Sequence, residues 1–142
     1  MKPGPRIYIH RVKVEFGDCD PAGIVWYPNF VGWCDAASRN FFIAAGVPPW
    51  RELTKSRGII GTPLVDQSTT FLRPASYDDV IDIHTWIDEW GTKSFVTRYD
   101  LKRGDELLAE GRDKRVFAQR HPTEPGRIQA LPIPEDIRRM CE

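Results

Sequence analysis

Residues 15–29 read EFGDCDPAGIVWYPN and set two carboxylates, Asp18 and Asp20, on either side of a thiol, Cys19. A carboxylate is ionised at neutral pH and can attack a carbonyl carbon or activate a water. An aspartate ahead of a Pro21-Ala22-Gly23 turn can equally bond the backbone that follows it. Spacing alone leaves both roles open. Cys19 is expected to be a packed, structural thiol, because two neighbouring negative charges disfavour the thiolate and no histidine lies close in sequence.

The same stretch ends in Tyr27-Pro28-Asn29, a plausible helix start. Proline in the first turn wastes no donor, while the neighbouring N–H groups lack intrahelical acceptors. Such groups, backed by the helix dipole, stabilise negative charge developing on an oxygen. A carboxylate a few residues upstream could face the same bound carbonyl. Competing chemistries lack their parts: no GxSxG, Walker A, GxGxxG or HExxH motif is present, and His10, His84 and His121 are scattered. The basic run at residues 112–120 (RDKRVFAQR) is expected to be a solvated strand face.

The elements that must position these groups follow from periodicity. Residues 7–16 alternate as a half-buried strand, with a phase slip between Ile9 and Val12 that leaves room for a bulge. From Pro28 to Ala45 the period becomes helical. Phe30, Trp33, Ala37, Phe41 and Ala44 form one stripe, Val31, Phe42 and Ala45 lie off it, and burial on most of the circumference is expected. Gly46 is a suitable stop. Residues 50–57 read as a short helical or irregular piece. Residues 63–73, 79–90, 93–103 and 106–120 read as strands, with Gly91 and Arg103-Gly104-Asp105 as turns. Residues 127–133 suit a last short strand, and Pro134 a terminal helical turn. One antiparallel sheet wrapped around one long helix, an α+β architecture, satisfies this order. A partner subunit would cover the sheet's free face or edge.

The 142 residues suit one domain spanning 1–142 with one core. Lysine plus arginine balances aspartate plus glutamate at 20 each, so net charge favours no nucleic-acid partner. No secretory signal and no membrane-spanning apolar run is evident, and three cysteines without a CxxC pair suit a reduced, cytoplasmic setting.

The blocks FGDCDPAGIVWYPN, WCDAASRNFF, GIIGTPLV, ASYDDV and KSFV, between about Val14 and Ala118, resemble the 4-hydroxybenzoyl-CoA thioesterase family of hot-dog-fold proteins. The resemblance implies an acyl-CoA substrate, a homo-oligomer (dimer or tetramer) with active sites between subunits, and no metal or organic cofactor. It assigns Asp20 as the catalytic carboxylate, nucleophile or general base, and Tyr27 as the residue whose backbone N–H polarises the thioester carbonyl. It also implies that Asp35 receives a ring hydroxyl of the acyl group, that Gly61, Thr62 and Pro63 line the thioester and pantetheine channel, and that Lys93 and Ser94 meet the nucleotide end of coenzyme A. Asp35 needs a partner on so apolar a helix; a substrate hydroxyl and an i+4 ion pair to Arg39 are the alternatives. The sequence departs from the family pattern at Val31 and Gly32, at Gly91 and Thr92, and at Gln129, where more polar or basic residues are expected.

Overall fold

Branched and aromatic residues at period two build strands, and the 3.6-residue period at 28–44 builds the main helix. The computed structural model describes residues 4–142. In chain order its elements are β1 (Tyr8–Lys13), a 3-10 turn (Phe16–Asp18), α1 (Pro28–Ala44), α2 (Trp50–Arg57), β2 (Ile59–Gly61), β3 (Leu64–Phe71), β4 (Val80–Trp90), β5 (Ser94–Arg103), β6 (Glu106–Val116), β7 (Ala118–Arg120), β8 (Ile128–Ala130) and α3 (Glu135–Cys141). A five-stranded antiparallel sheet runs in the order β1-β4-β5-β6-β3, and a smaller three-stranded sheet in the order β2-β7-β8. This is the hot-dog arrangement, with α1 lying against the large sheet.

Alternation along the strands sends Ile81, Ile83, Leu101 and Ala109 to the helix side, where they pack on Phe30, Cys34 and Ala37 of α1. Towards the other end of the helix, Phe42 meets Phe95 and Phe117 edge-on at 5.7 and 6.1 Å. The far side of the sheet is polar and carries the Arg11–Asp82 and Arg98–Asp88 pairs.

Three expectations change. β1 pairs with β4 without a register shift, so the slip between Ile9 and Val12 is no bulge; Ile9 simply lies on the exposed face while Tyr8, His10 and Val12 turn inward. The segment 106–120 is two strands, because Phe117 leaves the ladder to bury its ring completely. And Ala44, placed on the buried stripe of α1, is exposed, while Gly32, Asp35, Arg39 and Ile43 form the narrow exposed face of a helix otherwise largely buried or half-buried.

Candidate active site

After β1 the chain closes its 3-10 turn by a reciprocal cap, in which Asp18 Oδ2 accepts the Glu15 N–H at 2.8 Å. The Asp18 carbonyl then accepts the Trp26 N–H at 2.9 Å and Asn29 Nδ2 at 2.8 Å. These bonds pin the loop to the start of α1. Within the loop, the Asp20 N–H donates to the Ile24 carbonyl at 2.8 Å and the Gly23 N–H to the Asp20 carbonyl at 2.9 Å. Gly23 sits at φ 81°, where a side chain would be strained. Asp20 Oδ1 accepts the Ala22 N–H at 2.8 Å, and no hydrogen bond among the described residues engages Oδ2. The carboxylate lines a cleft of about 470 Å³ together with Phe16, Cys19 and Tyr77. Cys19 is half-buried and bridges to Val25.

Tyr27 caps α1 and Pro28 occupies its first turn, which contains no acidic residue. Among the described residues no acceptor takes the Tyr27 N–H. That N–H and the positive end of the helix dipole are therefore available to an anionic oxygen. The Tyr27 ring itself is 64% exposed and lies edge-on to Phe71 at 6.2 Å.

Two turns further along α1, Asp35 opens into a second cleft of about 350 Å³, whose walls include Trp50, Gly61, Thr62, Pro63 and Arg115. Gly61, at φ 142°, ends β2 in a conformation that suits glycine. Trp50 is held by Phe42 and Phe117 at 5.2 and 6.2 Å between ring centres. Asp35 does not pair with Arg39, as one of the alternatives held. Its Oδ1 accepts Arg115 Nη2 at 3.0 Å, from a residue 80 positions away in the chain. Arg39 lines the same cleft.

Nor is the basic run at 112–120 a plain solvated face. Arg112 and Lys114 point away from the helix, but Asp113 and Arg115 point towards it and are buried. Arg115 also bonds Asp113 Oδ2, which accepts the Tyr99 hydroxyl at 2.6 Å. Burial works against the Arg115 charge, but Tyr99, Asp113 and Asp35 outweigh it and raise the guanidinium pKa. Burial, reinforced by the Asp113 charge, pushes the Tyr99 hydroxyl far above its ordinary value, so it remains a donor.

Lys93 and Ser94 lie where β4 turns into β5. The Lys93 carbonyl accepts the Phe117 N–H at 3.2 Å, and Ser94 pairs with Val116, whose own N–H donates to the Pro63 carbonyl at 3.2 Å. They share a sheet end with the 61–63 segment without entering its cleft. The fold thus gathers Asp35, Gly61, Thr62 and Pro63, sets Asp20 and Tyr27 at the helix start, and leaves Lys93 and Ser94 flanking. Arg115, Asp113 and Tyr99 escaped the sequence reading. A signal existed: Asp113 and Arg115 share the parity of Ala109 and Phe117, the inward side of the strand.

Residues 14–140 match the thioesterase-like superfamily. The chain belongs to that superfamily. Among thioesterase relatives, it is 48% identical to the 4-hydroxybenzoyl-CoA thioesterase of Pseudomonas sp. (strain CBS-3) over 91% of this chain and 93% of that protein. A crystal structure of a 4-hydroxybenzoyl CoA thioesterase mutant complexed with 4-hydroxybenzoyl CoA superposes with a TM-score of 0.91 at 46% identity, covering 96% of this chain and 99% of that one. A gentisyl-coenzyme A thioesterase structure follows at TM-score 0.79 and 33% identity, covering 94% and 98%. Thioesterase membership and the hot-dog fold therefore agree with the sequence resemblance.

Proposed function

We propose that the protein hydrolyses aromatic acyl-CoA thioesters, with 4-hydroxybenzoyl-CoA as the foremost substrate. The observation that carries this is the 48% identity, over nearly the whole of both chains, to a 4-hydroxybenzoyl-CoA thioesterase. The local geometry supports it. Asp20 is held on a loop pinned to the start of α1, beside an N–H at Tyr27 that no described acceptor takes. In this reading the thioester oxygen accepts the Tyr27 N–H, which stabilises the tetrahedral oxyanion. Asp20 either adds to the carbonyl carbon or takes a proton from the water that does. In the first route an acyl-aspartyl anhydride forms, the carbon–sulfur bond breaks and coenzyme A leaves as its thiolate. Water then cleaves the anhydride, restoring the Asp20 carboxylate, releasing the aromatic acid and supplying the proton the thiolate takes up. In the second route water adds directly and the same bond breaks. Neither route needs a metal or organic cofactor.

Asp35 receives the ring hydroxyl, Gly61, Thr62 and Pro63 border the acyl and pantetheine path, and Lys93 and Ser94 meet the nucleotide. The protein works as one hot-dog domain in a homo-oligomer. Two features favour assembly: β3 is an edge strand with Leu64, Val65 and Phe71 exposed, Phe71 lying edge-on to the exposed Tyr27, and Asp20 and Asp35 open into separate clefts of one chain. Cys34 and Cys141 are buried as free thiols, which suits a cytoplasmic setting. Among the described residues no helix is long and apolar enough to cross a membrane.

Thiol release from 4-hydroxybenzoyl-CoA, benzoyl-CoA and an aliphatic acyl-CoA tests the proposal. The hydroxylated substrate is expected to have the highest kcat/KM. Equal turnover of all three would identify a broad acyl-CoA thioesterase instead, and no turnover of any would remove the hydrolase reading.

A further inference from the structure

One guanidinium joins the two walls of the Asp35 cleft. Arg115 Nη2 donates to Asp35 Oδ1 on α1 at 3.0 Å, while Nη1 donates to the Thr62 carbonyl at 3.1 Å. From behind, Asp113 Oδ2 accepts Arg115 Nε at 3.2 Å and Nη2 at 3.0 Å, and also the Tyr99 hydroxyl at 2.6 Å. The side chains of Arg115 and Asp113 are 9% and 2% exposed, whereas that of Asp35 is 73% exposed. The chain Tyr99–Asp113–Arg115 is thus a buried support, and Asp35 is the exposed group at its end in the cleft.

Two consequences follow for a ligand. With Oδ1 committed to Arg115, the Asp35 carboxylate cannot swing freely, and Oδ2 remains as an acceptor in a set place. Arg39 lines the same cleft, so two cations face the two carboxylates and the site carries no excess charge. It suits a neutral hydrogen-bond donor. A bare surface ion pair would fix the carboxylate less well, since exposed pairs hold their partners weakly.

We propose that Arg115, backed by Asp113 and Tyr99, is a positioning residue that makes the cleft selective for acyl rings bearing a neutral donor, such as a hydroxyl, over unsubstituted rings. This rests on the reading of Asp35 as acceptor of the ring hydroxyl. By contacting both Asp35 and Thr62, Arg115 ties the acceptor to the segment that borders the acyl path.

The test compares kcat and KM for 4-hydroxybenzoyl-CoA and benzoyl-CoA in the wild type and in Arg115→Lys, Tyr99→Phe and Asp35→Ala. Wild type is expected to prefer the hydroxylated substrate. Arg115→Lys keeps the charge but cannot reach Asp35, Asp113 and Thr62 together. It should lower the hydroxyl-over-unsubstituted ratio of kcat/KM about 10-fold, the scale of one charge-assisted hydrogen bond. The loss should fall chiefly on KM for the hydroxylated substrate and be smaller for benzoyl-CoA. A purely structural role would slow both substrates alike and leave the ratio intact, which overturns the proposal. Should Arg115→Lys not fold, Tyr99→Phe decides: it removes one buried hydroxyl, keeps the ring, and should lower the same ratio by a smaller factor. An unchanged ratio in folded Tyr99→Phe would then overturn the proposal. Asp35→Ala separates the two ideas. If it collapses the ratio while Arg115→Lys leaves it whole, only the positioning role fails. If it leaves the ratio whole, the Asp35 reading and the positioning role fall together.

Discussion

Asp20 and Asp35 are both aspartates at the edge of a cleft, but one is held by its own loop and the other by the far end of the chain. Asp20 Oδ1 bonds the N–H two residues on, and its Oδ2 meets no cation among the described residues. Asp35 Oδ1 bonds an arginine 80 positions away, itself anchored on a buried aspartate and tyrosine. A group that must attack carbon or take a proton is helped by a charge that no cation quenches. A group that must recognise one substituent is helped by immobility, and a guanidinium on one oxygen supplies it. Under the proposed function, the contrast separates reactivity from recognition within one residue type.

The strongest way to break that contrast is to remove the Asp20 charge. Asp20→Asn keeps the loop's shape, so kcat should fall about 10²- to 10⁴-fold with KM little changed, the scale of a positioned acid or base. Single-turnover and steady-state rates on 4-hydroxybenzoyl-CoA check this; a nearly active variant would return the chemistry to another group.

Next in size is Asp35→Ala. Loss of a hydrogen bond to a charged acceptor costs about 1.5–3 kcal/mol, or about 10- to 100-fold in preference for the hydroxylated substrate over benzoyl-CoA. Turnover of benzoyl-CoA should hardly change. If both substrates lose equally, Asp35 is not a recognition group.

A backbone change in the same cleft should matter less. At Gly61 an added Cβ would meet Trp50 no closer than 3.9 Å, so space is available, but φ 142° is strained for any side chain. Gly61→Ala should therefore destabilise by about 1–3 kcal/mol through backbone strain, read from the denaturant midpoint. An unchanged midpoint would mean that the 61–63 segment relaxes freely and does not fix the cleft wall.

Cys19→Ser should have the smallest effect. The thiol is half-buried and makes only a long contact of 3.8 Å to the Glu15 carbonyl. kcat near wild type is expected. A dead Cys19→Ser beside an active Asp20→Asn would reverse the roles assigned to the two residues.

Much of the fold was legible because its causes are local. The α1 span follows from its 3.6-residue spacing, the Pro28 start and the Gly46 stop, and the long strands from alternation with turn residues between them. The inner turn of the Asp20 loop belongs to the same class, since the Ala22 and Gly23 N–H groups bond Asp20 itself. The Val25 N–H to the Ala75 carbonyl and Ser76 Oγ to the Gly23 carbonyl, at 2.8 and 2.7 Å, are the long-range bonds that seat the loop. What misled was reading a phase slip at Ile9 as a bulge. An exposed isoleucine on the outer face has the same sequence pattern, and only pairing with β4 tells them apart.

The partner of Asp35 belongs to a different class. By itself the sequence determined that a carboxylate on an apolar helix needs a counterpart, and it offered Arg39 because helical neighbours are the only ones spacing can see. Tertiary structure decided for Arg115. Two strands had to pair in register before the inward parity of residues 109–117 could bring Tyr99, Asp113 and Arg115 beneath α1. Register is set by packing over the whole sheet, and a one-residue slip of β6 would turn Asp113 and Arg115 to the solvent face, away from Tyr99 on β5. Local spacing therefore determined the helix and the turn that carries Asp20, while long-range packing decided which residue holds the Asp35 carboxylate.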